Sequence, residues 1–389
     1  MKKIAIITTH PIQYNAPFFK LLAESRMVKP KVFYTWGETV LRDKYDPEFG
    51  KTIDWNIPLL EGYEYEFVEN AAARRGSDHF RGIDNPGIID KIKEWQPDAL
   101  LVYGWNFRSH LKFMRYFKKR MPVWFRGDST LLDQRGLLRN VFRRIVLRWV
   151  YKHVDLVFYT GLNNKKYYLE YGVSEEKLVY APHAVDNYRF GIVNEKVVEE
   201  ACKLRQTLQI PPNGIVYLFA GKLSPKKGVS TLIRAFKKSG IKDHFLVIAG
   251  SGPLEAELKR ECEGDENIKF AGFQNQAQMP GVYAACDVFV LPSVGPGETW
   301  GLSVNEAMAA GKPVIVSNKC GSAIDLVEEG RNGFIFEAGN SFDLADKMKR
   351  ISCNRENLEQ FGRESKMKIR DFTFEKFVNA IENSIKALG

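Results

Sequence analysis

Short apolar runs recur at Lys3–Thr8, Lys31–Tyr34, Ala99–Val102, Val123–Phe125 and Leu156–Tyr159, and longer amphipathic stretches separate them. An unbroken apolar run suits a strand covered on both faces. The longer stretches, with apolar positions three and four residues apart, suit helices lying over it. A second series begins at Ile215–Phe219 and continues through Phe245–Ile248, Val288–Leu291 and Pro313–Val316. Strands alternating with helices predict parallel sheets, and two separate series predict two doubly wound α/β domains.

The apolar pattern breaks around Pro182, inside the segment from Tyr180 to Phe190. A proline at such a break marks a loop, so the boundary falls there, with residues 1–183 in the first domain and 184–371 in the second. The tail from Asp371 to Gly389 carries Phe372, Phe374, Phe377, Ile381 and Ile385 at helical spacing. It fits either a surface helix of the second domain or a helix, over 372–389, that crosses back to pack on the first.

Composition adds limits to this picture. The chain has 389 residues, 44% of them hydrophobic and 27% charged, enough for two ordinary globular cores. Lys2 and Lys3 precede an apolar run as in a secretory signal, but the run ends at Thr8 with no small-residue cleavage site, which suits a first strand instead. No stretch approaches the ~20 apolar residues of a spanning helix, so a cytoplasmic protein is expected, at most peripheral on the inner face of a membrane. Five cysteines without paired metal-ligand spacing fit reduced thiols and make disulfides and structural zinc improbable. The formal net charge of +10 calls for an anionic partner: nucleic acid, an acidic membrane surface or a phosphorylated substrate.

The segment from Gly295 to Pro313 narrows that choice. It combines a strand end, a Gly/Pro loop and a helix stopped by Gly311 and Pro313. A helix that starts after a strand presents free backbone N–H groups and a positive dipole end, a site for phosphate. Glu306 lies about a turn and a half into the helix, where a carboxylate can accept two hydrogen bonds from a vicinal diol such as a ribose. Glu298 sits in the preceding loop.

This segment resembles the signature of glycosyltransferase family 4, in which two glutamates are separated by seven residues, here Glu298 and Glu306. The resemblance extends through Phe219–Gly228, Ile248–Pro253 and Phe270–Phe273. It implies a GT-B fold, two Rossmann-like domains facing across a cleft, with the donor held mainly by the second. It also implies that Glu306 binds ribose, that Glu298 stands beside the donor sugar, and that Lys222 and Lys227 neutralise the diphosphate. Many members carry arginine where this chain has Lys222, which makes a point charge of a bidentate grip. By the same resemblance Gly250 and Gly252 belong to a turn near the donor, Phe273 and Gln274 to the stretch whose backbone meets the base, and Thr299, Trp300, Gly301, Leu302 and Ser303 to the phosphate-facing loop and helix start.

First-domain candidates come from the carboxyl ends of strands, where open α/β sheets bind ligands. His10 follows the first run and is a candidate for the cleft or for a helix start. Many relatives have a glycine pair in that loop; this chain has none. His110 and Arg126 are acceptor-side candidates, Arg126 as an anion contact. Asp128 resembles an aspartate that relatives carry behind a histidine, whereas here it follows Arg126 and Gly127, and a helix cap is its plainer role. Arg135, Arg139, Arg143, Arg144, Arg148 and Lys152 stud an apolar segment with Leu138, Phe142, Ile145, Val146, Trp149 and Val150. The segment 135–152 suits a basic amphipathic helix on an anionic membrane surface, or a buried helix with a solvated basic face.

The resemblance implies a retaining, metal-independent hexosyltransferase with no cofactor beyond its nucleotide-sugar co-substrate, a UDP-sugar by default. The acceptor would be a glycan or a lipid-linked molecule, as in bacterial surface polysaccharide assembly. Glu298, Lys222, Lys227, His10 and Asp128 are the catalytic candidates. A GT-B epimerase or phosphorylase, or a silent nucleotide-sugar-binding subunit, would not require this glutamate pair with both lysines. A nucleic-acid partner would leave the two-glutamate segment without a role.

Overall fold

The structure is a computed structural model that describes residues 1–38, 45–46, 51–52, 56–133 and 137–388. These residues form two compact units, one drawn from 1–38, 57–133, 137–182 and 374–388, the other from 45–46, 51–52, 56 and 183–373. The chain leaves the first unit between Pro182 and His183 and rejoins it at Phe374.

In the first unit seven parallel strands stand in the order β3-β2-β1-β4-β5-β6-β7: β1 Lys2–Thr8, β2 Val28–Tyr34, β3 Glu64–Phe67, β4 Ala99–Tyr103, β5 Val123–Arg126, β6 Leu156–Tyr159 and β7 Leu178–Tyr180. Successive side chains alternate between faces. Ala5 and Ile7 of β1 therefore join one apolar cluster with Phe113, Phe117, Leu147 and Val150, while Ile4 and Ile6 join another with Phe18, Phe19 and Ile381. Both faces are covered, which is why β1 reads as an unbroken apolar run. The helix Phe374–Lys386 closes the second face: Phe377, Ile381 and Ile385 recur every four residues and are buried, each contributing ~2 kcal/mol by leaving water. Phe377 stacks on Phe18 with ring centroids 3.9 Å apart.

The second unit holds six parallel strands in the order β10-β9-β8-β11-β12-β13: β8 Ile215–Ala220, β9 His244–Ala249, β10 Ile268–Gly272, β11 Val288–Leu291, β12 Val314–Ser317 and β13 Gly333–Phe336. The two sheets are those predicted from the apolar runs, with four edge strands added. β3, β7 and β10 are largely half-buried or exposed and lack a long apolar run. Glu64 and Glu66 of β3 pair instead with Lys31 of β2, at 3.4 and 3.0 Å. Among the described residues no helix is long and apolar enough to cross a membrane.

Candidate functional site

The loops that leave the carboxyl ends of β8, β9, β11 and β12 are tied to one another by backbone hydrogen bonds. Leu223 N–H donates to Ser251 O at 2.9 Å, Val294 N–H to Lys226 O at 2.9 Å, and Gly321 N–H to Glu298 O at 2.9 Å. Lys222, Lys227, Gly250, Gly252, Glu298 and Gly301 all stand on this interlocked rim. Such bonding fixes loop positions that apolar packing alone would leave free.

At its centre the Lys227 ammonium lies 2.5 Å from Glu298 Oε2, and Ser293 Oγ donates to the same oxygen at 2.6 Å. Both charged side chains are mostly buried, so this pair is weakly screened by solvent. The helix Leu302–Ala309 starts beside them. Its N-cap, Gly301, has φ +92°, and a β-carbon there would stand 2.6 Å from Cys320 Sγ and 3.7 Å from Glu298 Oε1. Only glycine fits that conformation and that space. The Glu298 carboxylate thus lies at the helix start, where first-turn N–H groups have no intrahelical acceptor. Leu302 and Ser303 of that turn are half-buried, as are Lys222 and Thr299.

Glu306 is 3% exposed and accepts a 2.7 Å hydrogen bond from the Tyr283 hydroxyl at Oε2. The buried Trp300 indole donates to Asn305 Oδ1 at 2.8 Å, and Asn305 in turn donates to His183 O at 3.1 Å, so the Trp300 side chain braces the loop. Phe273 is half-buried, and Gln274 Nε2 donates to Ala271 O at 2.7 Å, which fixes the turn after β10.

The sequence reading missed Ser293, Tyr283, Asn305 and the Cys320–Ser322 turn. Cys320 Sγ donates to Trp300 O at 2.8 Å and Ser322 N–H to the same oxygen at 3.0 Å. Burial pushes the Cys320 thiol up to about 12, so it stays protonated for this bond. Cys-Gly-Ser after a strand was the available signal.

The first-unit candidates separate into two groups. His10 follows β1, with Nδ1 2.9 Å from Thr9 Oγ1 and its ring edge-on to Trp36 at 5.3 Å, and Asp128 lies half-buried after β5. His110 and Arg126 belong instead to the framework. Arg126 is 5% exposed; its guanidinium donates to Ala181 O at 2.9 Å and Pro182 O at 3.3 Å and lies 4.1 Å from the Phe377 ring centroid. That arrangement ties the chain's exit from the unit to the helix Phe374–Lys386, leaving no acceptor-side contact for Arg126.

His110 is fully buried, with Nδ1 3.1 Å from Tyr103 O and 3.0 Å from Gly104 O, and Nε2 2.9 Å from Thr35 Oγ1. Carbonyl oxygens only accept, so Nδ1 carries the proton, and Nε2 faces the Thr35 hydroxyl, whose one proton also has Thr8 O within reach at 3.1 Å. Burial holds the ring's pKa down at about 4. Above pH ~6.5 both folded and unfolded rings are neutral and the full stability is present. As pH falls from ~6.5 the unfolded ring takes a proton that the folded ring refuses until about pH 4, so up to ~3 kcal/mol is lost over that window. Urea unfolding at several pH values should show a steeper acid loss in the wild type than in His110→Asn. Parallel pH profiles would refute this account.

Two Rossmann-like α/β units, with charged loops at the carboxyl ends of the second sheet, define a protein of the GT-B fold. Anabaena HepE in complex with UDP superposes at a TM-score of 0.73, with 20% identity and full coverage of both chains. The family described as Glycosyl transferases group 1 matches residues 201–368. Phosphatidyl-myo-inositol mannosyltransferase of Mycobacterium leprae is 32% identical over 281 residues, 69% of each chain, and this chain belongs to the glycosyl transferases group 1 family. An Escherichia coli protein named UDP-Gal:alpha-D-GlcNAc-diphosphoundecaprenol alpha-1,3-galactosyltransferase is 30% identical over 192 residues, 47% of each chain. Against three further curated relatives the chain spans 46%, 33% and 45% of their length.

Proposed function

We propose that this protein is a retaining glycosyltransferase that moves a sugar from a nucleotide diphosphate donor, a UDP-sugar in our reading, to a glycan or lipid-linked acceptor without a metal ion. The observation that carries the proposal is the Lys227–Glu298 pair at the start of the helix Leu302–Ala309. Two lysines, Lys222 and Lys227, and the first-turn N–H groups of Leu302 and Ser303 supply the charge that a departing diphosphate needs. Glu306 then takes the ribose hydroxyls, Gly250, Gly252 and the Thr299–Gly301 backbone border the phosphates, and Phe273 and Gln274 border the base.

In the step itself the bond from the anomeric carbon to the diphosphate oxygen breaks and its electron pair leaves with the phosphate. The acceptor oxygen bonds to the same face of the sugar, and its proton passes to the departing phosphate oxygen. Glu298 orients a sugar hydroxyl, while His10 and Asp128 of the first unit are the catalytic candidates on that side. Alignment and charge stabilisation provide the acceleration.

Thermal unfolding with UDP, GDP and ADP, each with and without EDTA, tests the donor site. UDP at ~100 times its dissociation constant should add ~2.7 kcal/mol of stability, with EDTA making no difference. Glu306→Gln keeps an acceptor for Tyr283 but loses the charge, and should weaken the UDP shift. A folded protein that no nucleotide stabilises would overturn the proposal, and an EDTA-sensitive shift would overturn its metal independence.

A further inference from the structure

The helix Leu137–Tyr151 turns Leu147, Val150 and Tyr151 into the core of the first unit. Its outward side is not the polar face that water would favour. Phe142 is 70% exposed, Ile145 65% and Trp149 42%, a stripe of large apolar side chains at helical spacing. Alongside run Arg144, Arg148 and Lys152, four residues apart and exposed. The Arg115 guanidinium, from the helix Arg108–Phe117, stands 5.4 Å from the Trp149 ring. Of the basic segment read from the sequence, Arg135 lies outside the described residues.

Where this helix ends, Arg148, Lys152 and Lys177 line a cavity of about 320 Å³ with no carboxylate among its lining residues. Most nearby acids have other partners: Glu170 pairs with Arg144 at 3.4 Å, Glu175 with Lys165 and Asp155 with Lys118, while Glu176, next to Lys177 and acting on it electrostatically, accepts from Ser174 Oγ. Arg148, Lys152 and Lys177 form no ion pair among the described residues. Exposed apolar side chains beside a cationic cavity match the two layers of an anionic bilayer, acyl boundary and phosphate.

We propose that this face docks the first unit on an anionic phospholipid bilayer, with Phe142, Ile145 and Trp149 in the boundary layer and a lipid phosphate held in the cavity by Arg148, Lys152 and Lys177. The inference is independent of the donor chemistry. It uses residues outside the proposed sugar-transfer site, so the two readings can fail separately.

Sedimentation of the full chain with vesicles of phosphatidylcholine, with and without phosphatidylglycerol, tests it. Binding should require phosphatidylglycerol and weaken with salt. Arg148→Glu with Lys152→Glu should cut partitioning by about 100-fold, and Phe142→Ser with Ile145→Ser by at least about tenfold. Both pairs are exposed, and circular dichroism together with an unchanged UDP-induced thermal shift would show that the variants remain folded. No binding of the wild type to phosphatidylglycerol vesicles would overturn the proposal, as would either double variant binding like the wild type. Stabilisation by inorganic phosphate that Arg148→Glu abolishes, in a protein that ignores vesicles, would make the cavity a free-anion site and overturn docking.

Discussion

Glu298→Gln is expected to slow sugar transfer by about 10- to 100-fold while tightening the binding of free nucleotide diphosphate by about tenfold. The two effects have opposite signs because the carboxylate has two relationships. Without ligand it holds the Lys227 ammonium at 2.5 Å, at the helix start where an anion is best accommodated. A diphosphate must draw Lys227 away from that carboxylate or bind beside a negative charge. Glutamine keeps the Ser293 hydrogen bond and the side-chain shape, but it no longer competes for the lysine. Transfer suffers because a hydrogen bond from a sugar hydroxyl to a charged group is worth about 1.5–3 kcal/mol. Calorimetric titration with the nucleotide that gives the largest thermal shift, alongside initial rates of donor turnover, separates the two. If binding and turnover weaken together, Glu298 is a brace for Lys227 and has no role beside the sugar.

The readable parts of the fold are those where local pattern and final burial agree. Ile4 to Ile7 form an apolar run because both faces of β1 are covered, and Gly301 followed by Leu302 to Ala309 is a loop-helix junction in sequence and structure alike. Arg126 shows where this stops. Its place at the end of a strand suggested a ligand contact, but the alternation of β5 puts it on the same face as Trp124, under the helix Phe374–Lys386. Which sheet that distant helix covers is decided by packing, and no local spacing encodes it. The apolar pattern of the tail established a buried face and left its partner open. His110 failed for a related reason, since a ring can satisfy both nitrogens on backbone carbonyls and a threonine without any change in its sequence context. Around the loop that carries Glu298, the motif located Glu298 and Glu306, but their supports, Ser293 and Tyr283, come from other segments.

Gly321→Ala should remove about 2–4 kcal/mol from the second unit and abolish nucleotide binding even where the variant is folded. A β-carbon on Gly321 would stand 1.7 Å from Thr299 O and 2.4 Å from Thr299 C, both backbone atoms that cannot rotate aside. The turn cannot retreat cheaply either. Gly321 N–H is bonded to Glu298 O, Cys320 Sγ and Ser322 N–H converge on Trp300 O, and both flanking side chains are fully buried. The added methyl must therefore push the Glu298–Trp300 backbone outward, carrying the carboxylate from Lys227 and disturbing the helix start at Gly301. At about 2–4 °C per kcal/mol for a unit of this size, the thermal midpoint should fall by roughly 5–15 °C. Gly87→Ala is the control, since its φ is −89° and nothing lies within 4 Å of the new carbon, so its midpoint should stay near that of the wild type. A nucleotide shift measured well below the lowered midpoint distinguishes a moved loop from simple unfolding. Wild-type nucleotide affinity in Gly321→Ala would mean that the 298–300 backbone is not held in place by this turn, and the donor site would then have to be built without it.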